Sequence, residues 1–117
     1  MTELPQVVTR FIEAGNAHDT DGMLATFAED ALVNDIQRNF WGAASIGRFI
    51  DKEIVGAKVT MNVVGVRRHY DTWIVDAQLD GTYDKTGLPD PLVLSYHFTV
   101  IGERITTLMI IAEKPGY

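Results

Sequence analysis

Two side chains in this sequence have the type and setting for acid–base chemistry. Asp35 closes the short run Ala31-Leu32-Val33-Asn34-Asp35, which reads as a strand, so Ala31, Val33 and Asp35 share one face. A carboxylate aimed into an apolar pocket is desolvated, which raises its pKa and suits it to proton transfer. The structural alternative is a strand-end Asp that accepts backbone N–H bonds from the following loop. Tyr96 lies inside the run Leu92 to Ile101, on the face shared by Leu92, Leu94, Phe98 and Val100. Its hydroxyl needs a partner, which is either a ligand or a core carbonyl or water.

The histidines are weaker candidates. His97 points to the face opposite Tyr96, so it is expected at an interface or in a structural role. His18 stands at a helix end beside Asp19, where a cation suits the dipole, and His69 sits in a turn. The three lack metal-ligand spacing, and no metal is expected. With no cysteine in 117 residues, disulfides, thiolate sites and cysteine nucleophiles are excluded. Trp41, Phe40 and Trp73 could rim a pocket or pack a core. Arg67-Arg68 is too short a basic step for a nucleic-acid surface. Asp19 and Asp21 read as helix-capping acids. Nucleophile-elbow, phosphate-cradling and dinucleotide motifs are missing.

The elements that position these residues follow from periodicity. Leu4, Val7, Val8, Phe11, Ile12 and Gly15 form one helical stripe, with Thr2 as cap and Pro5 in the first turn. Asp19 or Thr20 caps a short second helix carrying Met23, Leu24 and Phe27. After the strand ending at Asp35, a loop through Arg38, Asn39 and Phe40 leads to Trp41-Gly42. A third helix then carries Ile46, Phe49, Ile50 and Ile54. Beyond Gly56 the pattern turns to strands at Val59 to Arg68, Trp73 to Tyr83, Leu92 to Ile101 and Ile105 to Glu113. Short connections imply an antiparallel meander. Helices first and strands later is the α+β pattern.

Composition sets the outer bounds. An apolar fraction of 46% in a chain of this length suffices for one core, so residues 1–117 are expected to form a single domain. No basic segment followed by an apolar run opens the chain and no stretch approaches a membrane span, so a cytoplasmic, non-membrane protein is expected. A net charge of −6 argues against nucleic acid as a partner. The last strand is apolar on both faces, whereas helices cover only one side of a small sheet. The other side is expected to meet a second copy of the chain, giving a homodimer.

A resemblance enters at this point. The segment Val7-Val8-Thr9-Arg10-Phe11-Ile12-Glu13-Ala14-Gly15-Asn16-Ala17-His18-Asp19, continued by residues 21–35, resembles the opening of the nuclear-transport-factor-two-like superfamily. Within it, the ketosteroid isomerases and SnoaL-like polyketide cyclases are most similar. Trp41-Gly42, Gly81-Thr82-Tyr83, Tyr96-His97-Phe98 and Ile105 agree, so nearly the whole chain is covered. The resemblance implies three helices on a strongly curved antiparallel sheet, a cystatin-like cone with one internal pocket.

It also implies roles. Asp35 matches the isomerase base. Phe11 stands where the family has an oxyanion-donating tyrosine, and Tyr96 where it has a protonated acid. Losing one preorganised donor costs ~10²–10³ in rate, whereas a placed carboxylate base contributes ~10²–10⁴. The expectation is therefore a cofactor-independent isomerase- or cyclase-like enzyme for a small apolar carbonyl compound. Asp35 would be the base and Tyr96 the donor, with Phe11, Val33, Trp41 and Phe98 as walls. The rivals are a non-catalytic binding or dimerisation module, and a hydrolase or dehydratase. An epoxide hydrolase would need an Asp–Arg–Asp network, for which Asp35 and Arg38 offer two members and no second pocket carboxylate is evident. A dehydratase would need a pocket histidine, and His97 faces away.

Overall fold

The computed structural model describes residues 3–112, and Thr2 and Glu113, expected as a helix cap and a strand end, lie outside them. Helix α1 (Gln6–Asn16) buries Val7, Val8, Phe11, Ile12 and Gly15, as its stripe requires. Pro5 stands one position earlier than expected, at the N-cap, and its carbonyl accepts from the Val8 and Thr9 amides at 3.0 and 3.1 Å. Asp19 caps α2 (Thr20–Leu24), its carboxylate accepting from the Gly22 amide at 3.0 Å.

Phe27 does not belong to α2 as its spacing suggested; it opens β1 (Phe27–Asp35). The Thr26 hydroxyl bonds back to the Met23 carbonyl at 2.6 Å, and the Thr26 carbonyl accepts from Ile105 at 2.9 Å. Pairing with a distant strand therefore ends the helix early. The segment expected as a loop at Arg38 to Phe40 is a strand, β2 (Arg38–Trp41), paired antiparallel with β1. The hairpin turn is Ile36-Gln37, with φ of 45° and 72°. A two-residue turn with both φ positive favours Asn-Gly, so the sequence carried no hairpin signal here.

That turn is strained, because a β-branched residue at positive φ is costly. Ile36→Asn is expected to stabilise the protein by about 1 kcal/mol, read as a higher urea midpoint. A lower midpoint would mean that the half-covered Ile36 side chain contributes more packing than its backbone costs.

Helix α3 (Gly42–Phe49) continues into a π-helical segment, Ile50–Val55, which the helical spacing did not reveal. Gly56 closes it, its amide N–H donating to the Asp51 carbonyl at 2.9 Å. A Cβ at Gly56 would stand 2.5 Å from the Lys52 carbonyl oxygen, so the close approach demands glycine.

The remaining strands are β3 (Thr60–His69), β4 (Thr72–Asp80), β5 (Leu92–Ile101) and β6 (Arg104–Ala112). They form the expected antiparallel meander, and the sheet order is β2-β1-β6-β5-β4-β3. One pairing corrects the all-antiparallel expectation: β1 runs parallel to β6, with Val33 opposite Leu108 and Asp35 opposite Ile110. Periodicity reports faces, not partners, so a contact closing across seventy residues left no local trace. Register shifts interrupt β1–β6, β3–β4 and β5–β6, and such bulges bend and twist a sheet.

Registers order the helix-covered face into rows. One is Arg38, Asp35, Ile110, Tyr96 and Val75; the next is Phe40, Val33, Leu108, Phe98 and Trp73. Phe11 packs onto these rows, edge-on to Phe27 at 5.7 Å and to Phe98 at 5.2 Å between centroids. Val8, Ile46, Ile50, Ile105 and Leu108 complete an interior almost closed to water. The architecture is α+β, helices against one face of a curled, mostly antiparallel sheet.

Candidate active site

Asp35 reaches the site because β1 alternates, placing Ala31, Val33 and Asp35 toward the helices, and because the chain reverses immediately after it. Ala31 and Val33 are each 1% exposed, while the Asp35 side chain keeps 18%. The carboxylate thus stands where the buried face meets the surface. Its partner is Arg38, directly opposite on β2, whose Nη2 donates to Asp35 Oδ2. Glu53, from the π-helical segment, grips the same guanidinium with two oxygens at 2.7 and 3.1 Å. Arg38 also lies 5.5 Å from the centre of the Phe40 ring.

Burial pushes the Asp35 carboxyl above the usual carboxylate range. The Arg38 hydrogen bond and charge pull it back, Glu53 opposes them, and burial prevails. Arg38 is held more firmly protonated than usual, first by its bond to Glu53. The result is a fixed cation between two carboxylates, one of them poised to take up a proton.

Tyr96 occupies the same row with only Ile110 between it and Asp35. Two strand spacings separate their backbones by about 10 Å, so a small molecule over Ile110 would meet both side chains. Tyr96 is 5% exposed and stacks on Phe98 at 6.1 Å. Phe11, Val33 and Phe98, expected as pocket walls, are each nearly closed to solvent. They fill the interior closely, as the non-catalytic rival anticipates.

Trp41 does not join them. It pairs with Leu32, on the face away from Val33 and Asp35, and is 65% exposed. The slip of one residue along β2 brings Phe40 in instead, stacked on Phe49 at 4.6 Å. The expected place of Trp41 in the wall fails because strand parity, invisible while this segment read as a loop, sends it outward.

Glu53 is the residue that sequence reasoning missed. Its spacing from Arg38 carries no signal, since a hairpin and a π-helical segment together bring them into contact. A hollow of ≈ 410 Å³ is lined by Leu79, Tyr83, Leu88, Pro91 and Leu92 among others, and Asp35 and Tyr96 are not in its wall. Along β5, Leu92 lies four residues from Tyr96, about 13 Å. Among the described residues no three His, Asp or Glu side chains are grouped to hold a metal ion, and no helix is long and apolar enough to cross a membrane.

The sequence matches no family model and no curated protein. Solved structures do match. A candidate polyketide cyclase from Sinorhizobium meliloti is 29% identical and superposes with a TM-score of 0.81, covering 92% of this chain and 94% of its own. SalBIII, an epoxide hydrolase/cyclase-like enzyme with a role in pyran ring formation in the polyether salinomycin, is 18% identical with a TM-score of 0.75, covering 92% and 88%. A candidate ketosteroid isomerase from Kribbella flavida is 14% identical with a TM-score of 0.77, covering 97% and 79%. With helices on one face of a curled six-stranded sheet, and neighbours of isomerase, cyclase and NTF2-like type, the chain has the nuclear-transport-factor-two-like fold.

Proposed function

We propose that this chain is a cofactor-independent acid–base enzyme of isomerase or cyclase type, acting on a small apolar carbonyl compound. Asp35 takes the proton from carbon and Tyr96 donates a hydrogen bond to the oxygen that gains charge. The observation that carries this reading is Asp35 itself: a mostly buried carboxylate on an apolar face, raised in pKa and anchored by Arg38. The likeness to a candidate polyketide cyclase at 29% identity favours the same chemistry. Because the aromatic interior is closely packed, the substrate must displace or part side chains around Tyr96. The test is turnover of a β,γ-unsaturated ketosteroid and of smaller enolisable ketones, beside an Asp35→Asn variant. Turnover that survives the substitution removes Asp35 from the mechanism.

A second reading rests on Glu53. A hydrolase of this superfamily would want two carboxylates around one arginine, and Asp35–Arg38–Glu53 has that composition. In that chemistry a water is activated, so oxygen from labelled water enters the product and Glu53→Gln is as damaging as Asp35→Asn. In the isomerase reading Glu53→Gln costs far less, and no label is incorporated.

The outer face is proposed to meet a second copy of the chain. Its rows include Ile74, His97 and Met109, beside Ile111 at 44% exposure. Arg67 and Asp76, bridged at 3.3 Å on that face, offer both charges to a two-fold mate. Burial, and then the charge of Arg67, hold His97 below its ordinary pKa, against Asp76. A lowered histidine pKa means that the unfolded chain binds the proton better, so stability falls as pH drops below 6.5 and levels off beneath the folded pKa. Sedimentation at neutral pH should give a dimer that Ile111→Lys dissociates, and His97→Gln should flatten this acid limb. A monomer at all concentrations overturns the pairing.

A further inference from the structure

We propose that the turn-end groove between α1, β3–β4 and β5–β6 binds an organic anion with a carboxylate or phosphate head and a short apolar body. This site is independent of Asp35: Trp73, in its wall, lies three strands from Asp35 across the sheet, about 14 Å away. The groove has a volume of ≈ 1090 Å³ and is lined by Arg10, Arg68 and Arg104, against Glu3 and Glu103. A protein of net charge −6 thus gathers three of its ten cationic side chains around one concavity, with a local excess of one positive charge. Clustered arginines are the usual means of holding carboxylate and phosphate groups.

Two further observations point to the same ligand class. Trp73 Nε1 is buried with no hydrogen-bond partner, the one such side-chain atom among the described residues. Buried donors are nearly always paired, so this one favours an acceptor, which a ligand in the groove would bring to it once the wall around the indole shifts to uncover Nε1. Arg68 lies over the Trp73 ring at 4.6 Å, and its Nε donates to the Tyr70 carbonyl at 2.8 Å, which fixes the guanidinium beside the indole. Meanwhile α1 begins in the groove at Pro5, Gln6 and Val7. Among the described residues no side chain caps it and its first turn holds no acid; the Val8 amide is taken by the Pro5 carbonyl, so Gln6 and Val7 carry the amides that an anion would meet. Leu4, Pro5, Val7, Ala25 and Val100 supply the apolar part of the wall.

The experiment follows the two indole N–H signals of Trp41 and Trp73 in ¹H–¹⁵N spectra, assigned with Trp41→Phe. Octanoate, octyl phosphate, inorganic phosphate and neutral octanol are titrated in turn. The Trp73 signal should shift saturably with octanoate or octyl phosphate while that of Trp41 stays fixed. An Arg68→Gln/Arg104→Gln double variant of unchanged melting temperature should bind at least ~10-fold more weakly, as the loss of charge-assisted bonds requires. Should that variant unfold, Arg10→Gln, on an exposed position of α1, carries the same comparison. The proposal is overturned if neither amphiphile moves Trp73, or if octanol binds as well as octanoate. Inorganic phosphate binding as tightly as octyl phosphate would overturn the apolar body.

Discussion

Asp35→Asn is expected to lower kcat/KM for an enolisable ketone by ~10²–10⁴, the range contributed by a placed general base. Asn keeps the shape and can still face Arg38, which remains held by the two Glu53 oxygens. The fold should therefore survive. In the unsubstituted protein the rate should climb with pH along a limb whose midpoint lies above 3.8, because only ionised Asp35 accepts a proton and burial raises its pKa.

Stability should move the other way. A carboxyl whose pKa is raised by folding binds its proton more tightly in the folded state. The stability it confers is full below the unfolded pKa and is lost as pH rises through the folded one. At pH 7 ionised Asp35 therefore opposes folding, and Asp35→Asn should melt at a temperature equal to or above that of the parent. The difference should vanish below pH 3.8. Thermal melts at pH 3 and 7 check this beside the rates. Lost turnover with a much lower melting temperature would indicate collapse of the site rather than removal of a base.

Phe98→Ala is expected to destabilise the protein by about 3–5 kcal/mol, a large part of the ~5–15 kcal/mol that domains possess. Phe98 is 0% exposed and lies between two rings, Phe11 edge-on at 5.2 Å and Tyr96 stacked at 6.1 Å. Truncation leaves a hole lined by rigid aromatics and by Leu108, directly opposite on β6. Neither can collapse into it without leaving a rotamer well. Denaturant unfolding measures the loss. A change below ~1 kcal/mol would mean that the interior is loosely packed, which would in turn ease entry of a substrate toward Tyr96. The same substitution therefore tests how closed the proposed site is.

Much of the helix-covered face was legible because it depends on spacing alone. Val7, Val8, Phe11 and Ile12 repeat with the helical period, and Leu94, Tyr96 and Phe98 alternate with the strand period; the structure buries all seven. Strand β5 was bounded to the residue, since loop residues flank it on both sides. Asp35 was legible as a candidate because it extends the apolar face of Ala31 and Val33. By contrast, β2 was unreadable: its turn is Ile36-Gln37, and nothing in those residue types announces positive φ. With β2 unread, Trp41 could not be sent outward, nor Phe40 and Arg38 brought in.

The sequence by itself determined the order of elements, the α+β class, which residues share a face, and a carboxylate and a phenol on the apolar face. Each is a local property, set by side-chain period and by propensities summed over a few neighbours. Only the tertiary structure decided that β6 returns beside β1, that Asp35 and Tyr96 share a row, and that Glu53 clasps Arg38. Three arginines converging at the mouth of α1 is a result of the same kind. These contacts join segments separated by fifteen to almost a hundred residues, and no local period encodes them. They exist because one closed core must satisfy every strand edge and buried charge at once.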